Sequence, residues 1–355
     1  MTTSFDALSL GGVTLANRVV MSPMTRSRAY GPGQTPTDAT AVYYAQRASA
    51  GLIVSEGLQP SVVGQGYPST PGIHSSAQVE AWRPVTDAVH EKGGVIFAQL
   101  MHTGRIGHPS LLPDGLLPVA PSAVAAKTQV FTPEGLQDCV TPKELTPAEI
   151  ERTIADFASA ARNAIAAGFD GVEIHGANGY LLQQFLSDNV NLRTDGWGGS
   201  VQGRIRFGVE VAKAVADAVG AHRVGYRISP DNPYNDITES DLPVLYGELL
   251  TALAPLDLAY LHLMEGPDRE LTLQLRKQWQ GTFILNPFTH PDPTGPESLS
   301  LVEDGTTDAV SFGALFLANP DLPARLQRGG PFNTPDRATF YGGDEHGYTD
   351  YPALG

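Results

Sequence analysis

Eight short apolar runs, most of them followed by a stretch with helical spacing, constrain this chain more than any other feature. They read RVVMSPM (18–24), LIVSEG (52–57), VIFAQL (95–100), GVEIHG (171–176), VGYRIS (224–229), LAYLHLM (258–264), TFILN (282–286) and AVSFG (309–313). Near-continuous apolar strands rich in β-branched residues suit a parallel sheet covered on both faces, and the helices between them imply βα units. Six such units would suggest an open, doubly wound sheet; eight point to closure. The expected fold class is therefore α/β, a single (β/α)8 TIM barrel with residues 1–355 as one domain, a length such barrels commonly reach.

One joint shows the local logic. Thr146, Pro147 and Glu149 read as an N-cap, a first-turn proline and a capping-box partner. Ile150, Ile154, Phe157, Ala161 and Ile165 then form one apolar stripe, and Gly168 ends the helix before the strand GVEIHG. Two connections exceed simple turns, residues 101–145 after the third strand and 177–199 after the fourth. Long loops without regular structure are usually functional, and loops after barrel strands build active sites.

Charge narrows the partners. The formal net charge is −15 and no basic cluster occurs, so phosphate backbones would be repelled and a nucleic-acid partner is not expected. Cys139 is the only cysteine, so no disulfide can form within the chain, which suits a reducing compartment. The first residues lack the pattern of a signal peptide, and no run approaches the roughly 18 apolar residues that span a bilayer. A cytoplasmic protein without membrane contact is expected.

The polar residues at the C-terminal strand ends are the candidates for chemistry. They are Thr25 after the first strand, Glu56 and Gly57 after the second, Gln99 and His102 at the third, His175 and Asn178 after the fourth, Arg227 in the fifth and Gly313 after the eighth. No metal-ligand spacing, Gly-x-Ser-x-Gly elbow or strand-end lysine occurs among them. A site of amide and imidazole donors without its own nucleophile suggests chemistry borrowed from a cofactor. Each residue also has a plainer reading: Thr25 as a turn cap, Gln99 and Arg227 as partners of buried polar groups. His102, Arg105 and His108 read as braces of the long third loop, and Tyr348 and Tyr351 as packing residues.

NRVVMSPMTRSRA (17–29), GYPSTPGIHS (66–75), FAQLMHTGRIGHP (97–109) and GVEIHGANGYLLQQFLSDNVNLRTDGWGGS (171–200) form a long ordered pattern. RISPDNPYND (227–236), FLANPDLPARL (316–326) and YGGDEHGYTDYP (341–352) continue it. The pattern resembles the old yellow enzyme family of FMN-dependent ene reductases over essentially the whole chain. That resemblance implies FMN as cofactor, NADPH or NADH as hydride donor, an activated alkene as the small-molecule substrate, and a monomer or homodimer. It implies flavin contacts from Pro23, Met24, Thr25, Gly57, Gln99, Arg227, Gly313 and the position of Ala314. It implies that His175 and Asn178 hold the substrate oxygen, that Tyr180 protonates the α-carbon, and that Tyr67, Met101 and Tyr341 line the substrate site.

Two stretches depart from the family pattern. Ala314 stands where relatives commonly carry a phosphate-gripping arginine, and NPFTHPDPTGPES (286–298) replaces a Gly-Gly-aromatic stretch. Thr294-Gly295-Pro296-Glu297 there reads as a helix N-cap whose N–H groups could meet a phosphate, against the charge of Glu297. Met101 stands where many relatives have tryptophan. Two further readings therefore stay open: a small-molecule-binding barrel with a decayed flavin site, and a relative that uses a deazaflavin.

Overall fold

The computed structural model describes residues 2–232 and 234–355; Pro233, within the segment 227–236, lies outside them. Eight parallel strands close a barrel: β1 (Val19–Met21), β2 (Leu52–Leu58), β3 (Ile96–Leu100), β4 (Gly171–Gly176), β5 (Val224–Ile228), β6 (Tyr260–Met264), β7 (Thr282–Asn286) and β8 (Ala309–Phe312). They pair in chain order and β8 returns to β1. All eight apolar runs thus become the barrel strands of an eight-stranded α/β fold.

Alternation along each strand sorts the side chains. In β4, Val172 and Ile174 face the helix layer and belong to the large apolar cluster with Phe157, Ala161 and Phe207. The residues between them point into the barrel. The inward positions stack in three layers. The lowest is apolar, with Val20, Leu52, Val54, Phe97, Tyr260, Ile284 and Ala309 packed on a small N-terminal hairpin, Leu8–Leu10 against Val13–Leu15. Gly225 is needed here, because a Cβ would stand 2.1 Å from the Tyr260 ring. The middle layer is polar, and the top layer opens into a cavity.

The helix Pro147–Ala166 carries the expected capping box: Thr146 N–H donates to Glu149 Oε2 (3.0 Å) and Glu149 N–H to Thr146 Oγ1 (3.3 Å). Its stripe is buried at Ile150, Ile154, Phe157 and Ala161 and half-buried at Ile165, and Gly168 has φ +94°.

Three local expectations need correction. The 101–145 connection is not structureless: it holds a hairpin, Gln129–Thr132 against Gly135–Asp138, and a short pairing of Val119–Ala120 with Lys143–Glu144. Residues 177–199 likewise contain a helix, Leu181–Leu186. Thr294 is not itself the N-cap: the short 3₁₀ turn Pro296–Leu299 starts from Gly295, and the Thr294 hydroxyl instead accepts from Asn286 Nδ2 (3.1 Å).

Arg105 is fully buried and donates to the backbone of Val124, Ala125, Asn235 and Asp236, tying the third loop to the fifth. Arg26 and Arg28 donate to the carbonyls of Thr339, Phe340 and Gly347, while Tyr348 stacks on Tyr43 at 4.3 Å. These contacts bring the C-terminal segment back across the barrel mouth. Among the described residues, no helix is long and apolar enough to cross a membrane.

Candidate active site

The top of the barrel opens into a cavity of about 570 Å³. Pro23, Met24, Thr25, Tyr67, Gln99, Met101, His175, Asn178, Tyr180, Arg227, Gly313, Ala314 and Tyr341 all line it. Gly57 is the one residue implied by the family resemblance that does not, and of the strand-end candidates Glu56 and His102 do not line it either. A Cβ at Gly57 would stand 2.6 Å from Met101 Sδ, so Met101 occupies the space between Gly57 and the cavity. The third-loop residues behave as braces: His102 Nδ1 accepts from Gly104 N–H (3.1 Å), and His108 Nδ1 meets Ser110 Oγ at 2.8 Å.

Beneath the cavity lies a polar layer that the strand-end reading missed. Glu173, fully buried two residues before His175, accepts from Gln99 Nε2 (2.8 Å) and Tyr260 Oη (3.1 Å) and pairs with His262 Nδ1 (2.8 Å). Burial alone would raise its carboxyl, but His262, Arg227 and the Gln99 amide outweigh it and hold it below the ordinary carboxylate value. A carboxylate only accepts, so the proton of His262 sits on Nδ1, and its other nitrogen can accept from Ser311 Oγ at 2.8 Å. For the same reason Gln99 turns its NH₂ toward Glu173 and its carbonyl oxygen toward the cavity. Period-two counting back from His175 and Met264 would have put Glu173 and His262 on the inward face.

Arg227 stands in register with His175 on one side and His262 on the other. Its Nε is buried with no hydrogen-bond partner among the described residues. Burial lowers its pKa while Glu173 opposes the shift, and a guanidinium keeps its charge under such shifts. His175 Nδ1 is also buried and unpaired among the described residues. Burial, then the neighbouring Arg227, pushes the His175 imidazole down to about 3, so it is neutral near pH 7.

The turn after β4 aims the remaining groups. Asn178 and Gly179 have φ of +57° and +74°, two successive left-handed residues. Asn178 N–H donates to Ser229 Oγ (2.8 Å), Gly179 N–H to Gln183 Oε1 (2.9 Å), and Asn235 Nδ2 to the Asn178 carbonyl (2.6 Å). Gln183 Nε2 lies within 3.2 Å of both Glu239 carboxylate oxygens and 3.0 Å from Tyr246 Oη. Burial raises the Glu239 carboxyl to about 7 against the pull of Tyr246 and Gln183. Gln183→Leu keeps the volume but strands the Gly179 N–H in a buried turn. A stability loss of roughly 1–3 kcal/mol in urea melts is expected.

A closed barrel whose mouth gathers neutral hydrogen-bonding groups around a buried cation, with no nucleophile or metal cluster among the described residues, suits chemistry supplied by a cofactor. The chain belongs to the NADH:flavin oxidoreductase / NADH oxidase family, whose sequence profile matches residues 4–333. It is 44% identical over 356 residues to a probable flavin mononucleotide-dependent alkene reductase of Leishmania infantum, covering 98% of this chain and 96% of that protein. It is also 44% identical over 359 residues to 12-oxophytodienoate reductase 1 of Oryza sativa subsp. japonica, covering 97% and 91%. Among solved structures, an old yellow enzyme homologue from Zymomonas mobilis superposes with a TM-score of 0.95 at 40% identity, covering 99% of this chain and 100% of that one. Morphinone reductase in complex with tetrahydroNAD gives 0.94 at 42% identity, covering 100% and 98%.

Proposed function

We propose that this protein is an FMN-dependent ene reductase. On this reading it takes reducing equivalents from NADPH or NADH and adds hydrogen across the C=C bond of an α,β-unsaturated carbonyl or a nitroalkene. The observation that carries the reading is a cavity lined by a buried cation and a neutral imidazole, Arg227 and His175, each with a buried nitrogen, Nε and Nδ1, that has no hydrogen-bond partner among the described residues. Buried polar groups are almost always paired in a working protein, so such orphans call for a ligand. The names of the relatives support the same chemistry, alkene reductase and 12-oxophytodienoate reductase among them.

The residues present fit FMN. The lone cation suits a ring that becomes anionic when reduced, and the Gln99 carbonyl oxygen suits a ring N–H. Pro23, Met24, Thr25, Gln99, Arg227, Gly313 and Ala314 would hold the group, with Gly57 acting from behind Met101. When bound, FMN supplies hydride to the β-carbon, a reaction for which the chain has no side chain of its own. The chain's residues do the rest. His175 and Asn178 donate to the substrate's carbonyl or nitro oxygen and stabilise the enolate or nitronate charge that collects there, as an oxyanion hole does. Tyr180 delivers its phenolic proton to the α-carbon, a task suited to a group that stays protonated at neutral pH. Burial raises the Tyr180 phenol further, which keeps it loaded.

Residues 1–355 act in this reading as one catalytic domain, in the cytoplasm, as a monomer or homodimer. The purified protein is expected to absorb in the flavin region, to bleach anaerobically with NADPH or NADH, and to regain colour on adding an enone or nitroalkene. Ala314 supports the rival reading of a binding barrel without redox turnover, since it leaves a cofactor phosphate without the arginine that relatives commonly supply. Colourless protein that gains no absorbance with excess FMN would decide for that rival.

A further inference from the structure

Tyr67 and Tyr180 come from different loops, yet their phenol oxygens lie 3.0 Å apart. Their rings meet edge to face at 6.3 Å, and Tyr180 meets the His175 ring in the same way at 5.2 Å. A second cavity of about 640 Å³ adjoins the first and shares Thr25, Tyr67, Tyr180 and Tyr341 with it. Arg337 is the only charged side chain lining that second space.

This arrangement answers a difficulty created by the proton step. Each turnover would leave Tyr180 as a half-buried phenolate, a form that even partial burial disfavours. Tyr67 is the hydroxyl group placed to meet that charge. Its own phenol is held well above the ordinary value, first by burial and then by Tyr180. It therefore stays protonated beside a newly formed Tyr180 phenolate and donates a hydrogen bond to it.

We propose that Tyr67 is the second member of a proton relay, passing its proton to Tyr180 and recovering it from solvent through the adjoining cavity. The inference rests on Tyr180 being the proton donor, as proposed above. In the relay the Tyr180 O–H bond breaks as the substrate Cα–H bond forms. The Tyr67 O–H bond then breaks as that of Tyr180 re-forms. Finally a water O–H bond breaks as that of Tyr67 re-forms, and hydroxide leaves to solvent. One proton enters per alkene reduced, and no electron moves along the relay.

Tyr67→Phe and Tyr180→Phe separate the two ideas. The holoenzyme variants are compared for FMN retention, kcat, solvent deuterium isotope effect and the face of deuterium addition at Cα in D₂O. Tyr180→Phe is expected to lose the fixed face of deuteration; if it keeps both face and rate, the donor reading fails. Tyr67→Phe is expected to keep the face and the bound FMN while kcat falls about 10- to 100-fold, the worth of one hydrogen bond to a charged group, with an enlarged isotope effect. An unchanged isotope effect in Tyr67→Phe, with or without a slower rate, overturns the relay. Tyr67→His retains a group able to carry a proton and is expected to recover much of the lost rate. Should it be as slow as Tyr67→Phe, the relay is also overturned.

Discussion

The double variant His175→Ala, Asn178→Ala is expected to lower kcat for enone or nitroalkene reduction by about a thousand-fold or more while leaving the bound flavin spectrum in place. Loss of one oxyanion donor costs on the order of 10²–10³ in kcat elsewhere, and two donors on one oxygen act as a unit rather than additively. Flavin retention is expected because the cation and the oriented amide nearest the candidate ring site, Arg227 and Gln99, are untouched. The decisive measurement is single-turnover reoxidation of prereduced enzyme by the alkene, beside its bleaching by NADPH. Only the first should collapse, and near-normal reoxidation would remove His175 and Asn178 from the site. The pH profile of the parent enzyme offers a second check. Because burial pushes His175 down to about 3, it is neutral on both sides of its ordinary value of 6.5. No step in kcat from this imidazole is expected between pH 5 and 8.

The second large effect concerns stability. Glu173→Leu is expected to destabilise the fold by about 3–5 kcal/mol, the usual cost of removing one partner from a buried ionic set. Three donors lose their acceptor at once: Gln99 Nε2, Tyr260 Oη and His262 Nδ1. Arg227 also loses the nearest carboxylate that balances its charge. Denaturant unfolding followed by far-UV circular dichroism measures the loss. Glu173→Gln keeps shape and most hydrogen bonding and should fall well short of that cost. Equal losses in the two variants would show that the charge, which both lack, and not the hydrogen-bond acceptor, which only Glu173→Leu lacks, sets the cost.

How much of this was legible in the chain differs by level. The strands were, because a parallel sheet covered on both faces demands unbroken apolar runs, and GVEIHG and TFILN became β4 and β7 residue for residue. The capping box at Thr146 was legible because its partners are three residues apart. Thr294 misled for the opposite reason. Its neighbours read as a cap, but the turn starts one residue later, from Gly295, and the Thr294 hydroxyl accepts instead from Asn286, a strand residue that the seventh loop brings close. Gly57 shows the same limit, since only the closed barrel brings Met101 against it.

The sequence by itself determined the architecture and the positions from which chemistry could come, because periodicity and strand ends are local properties of a chain. Tertiary structure alone decided which of those groups are paired and which are free. Glu173 finds three donors contributed by two other strands and so anchors the interior, while Arg227 and His175, strand neighbours in register, line the cavity with Nε and Nδ1 unpaired among the described residues. Proximity between residues 67 and 180 is likewise invisible in one dimension. Burial and pairing set the charge of each group, and both are sums over neighbours that only the closed barrel supplies.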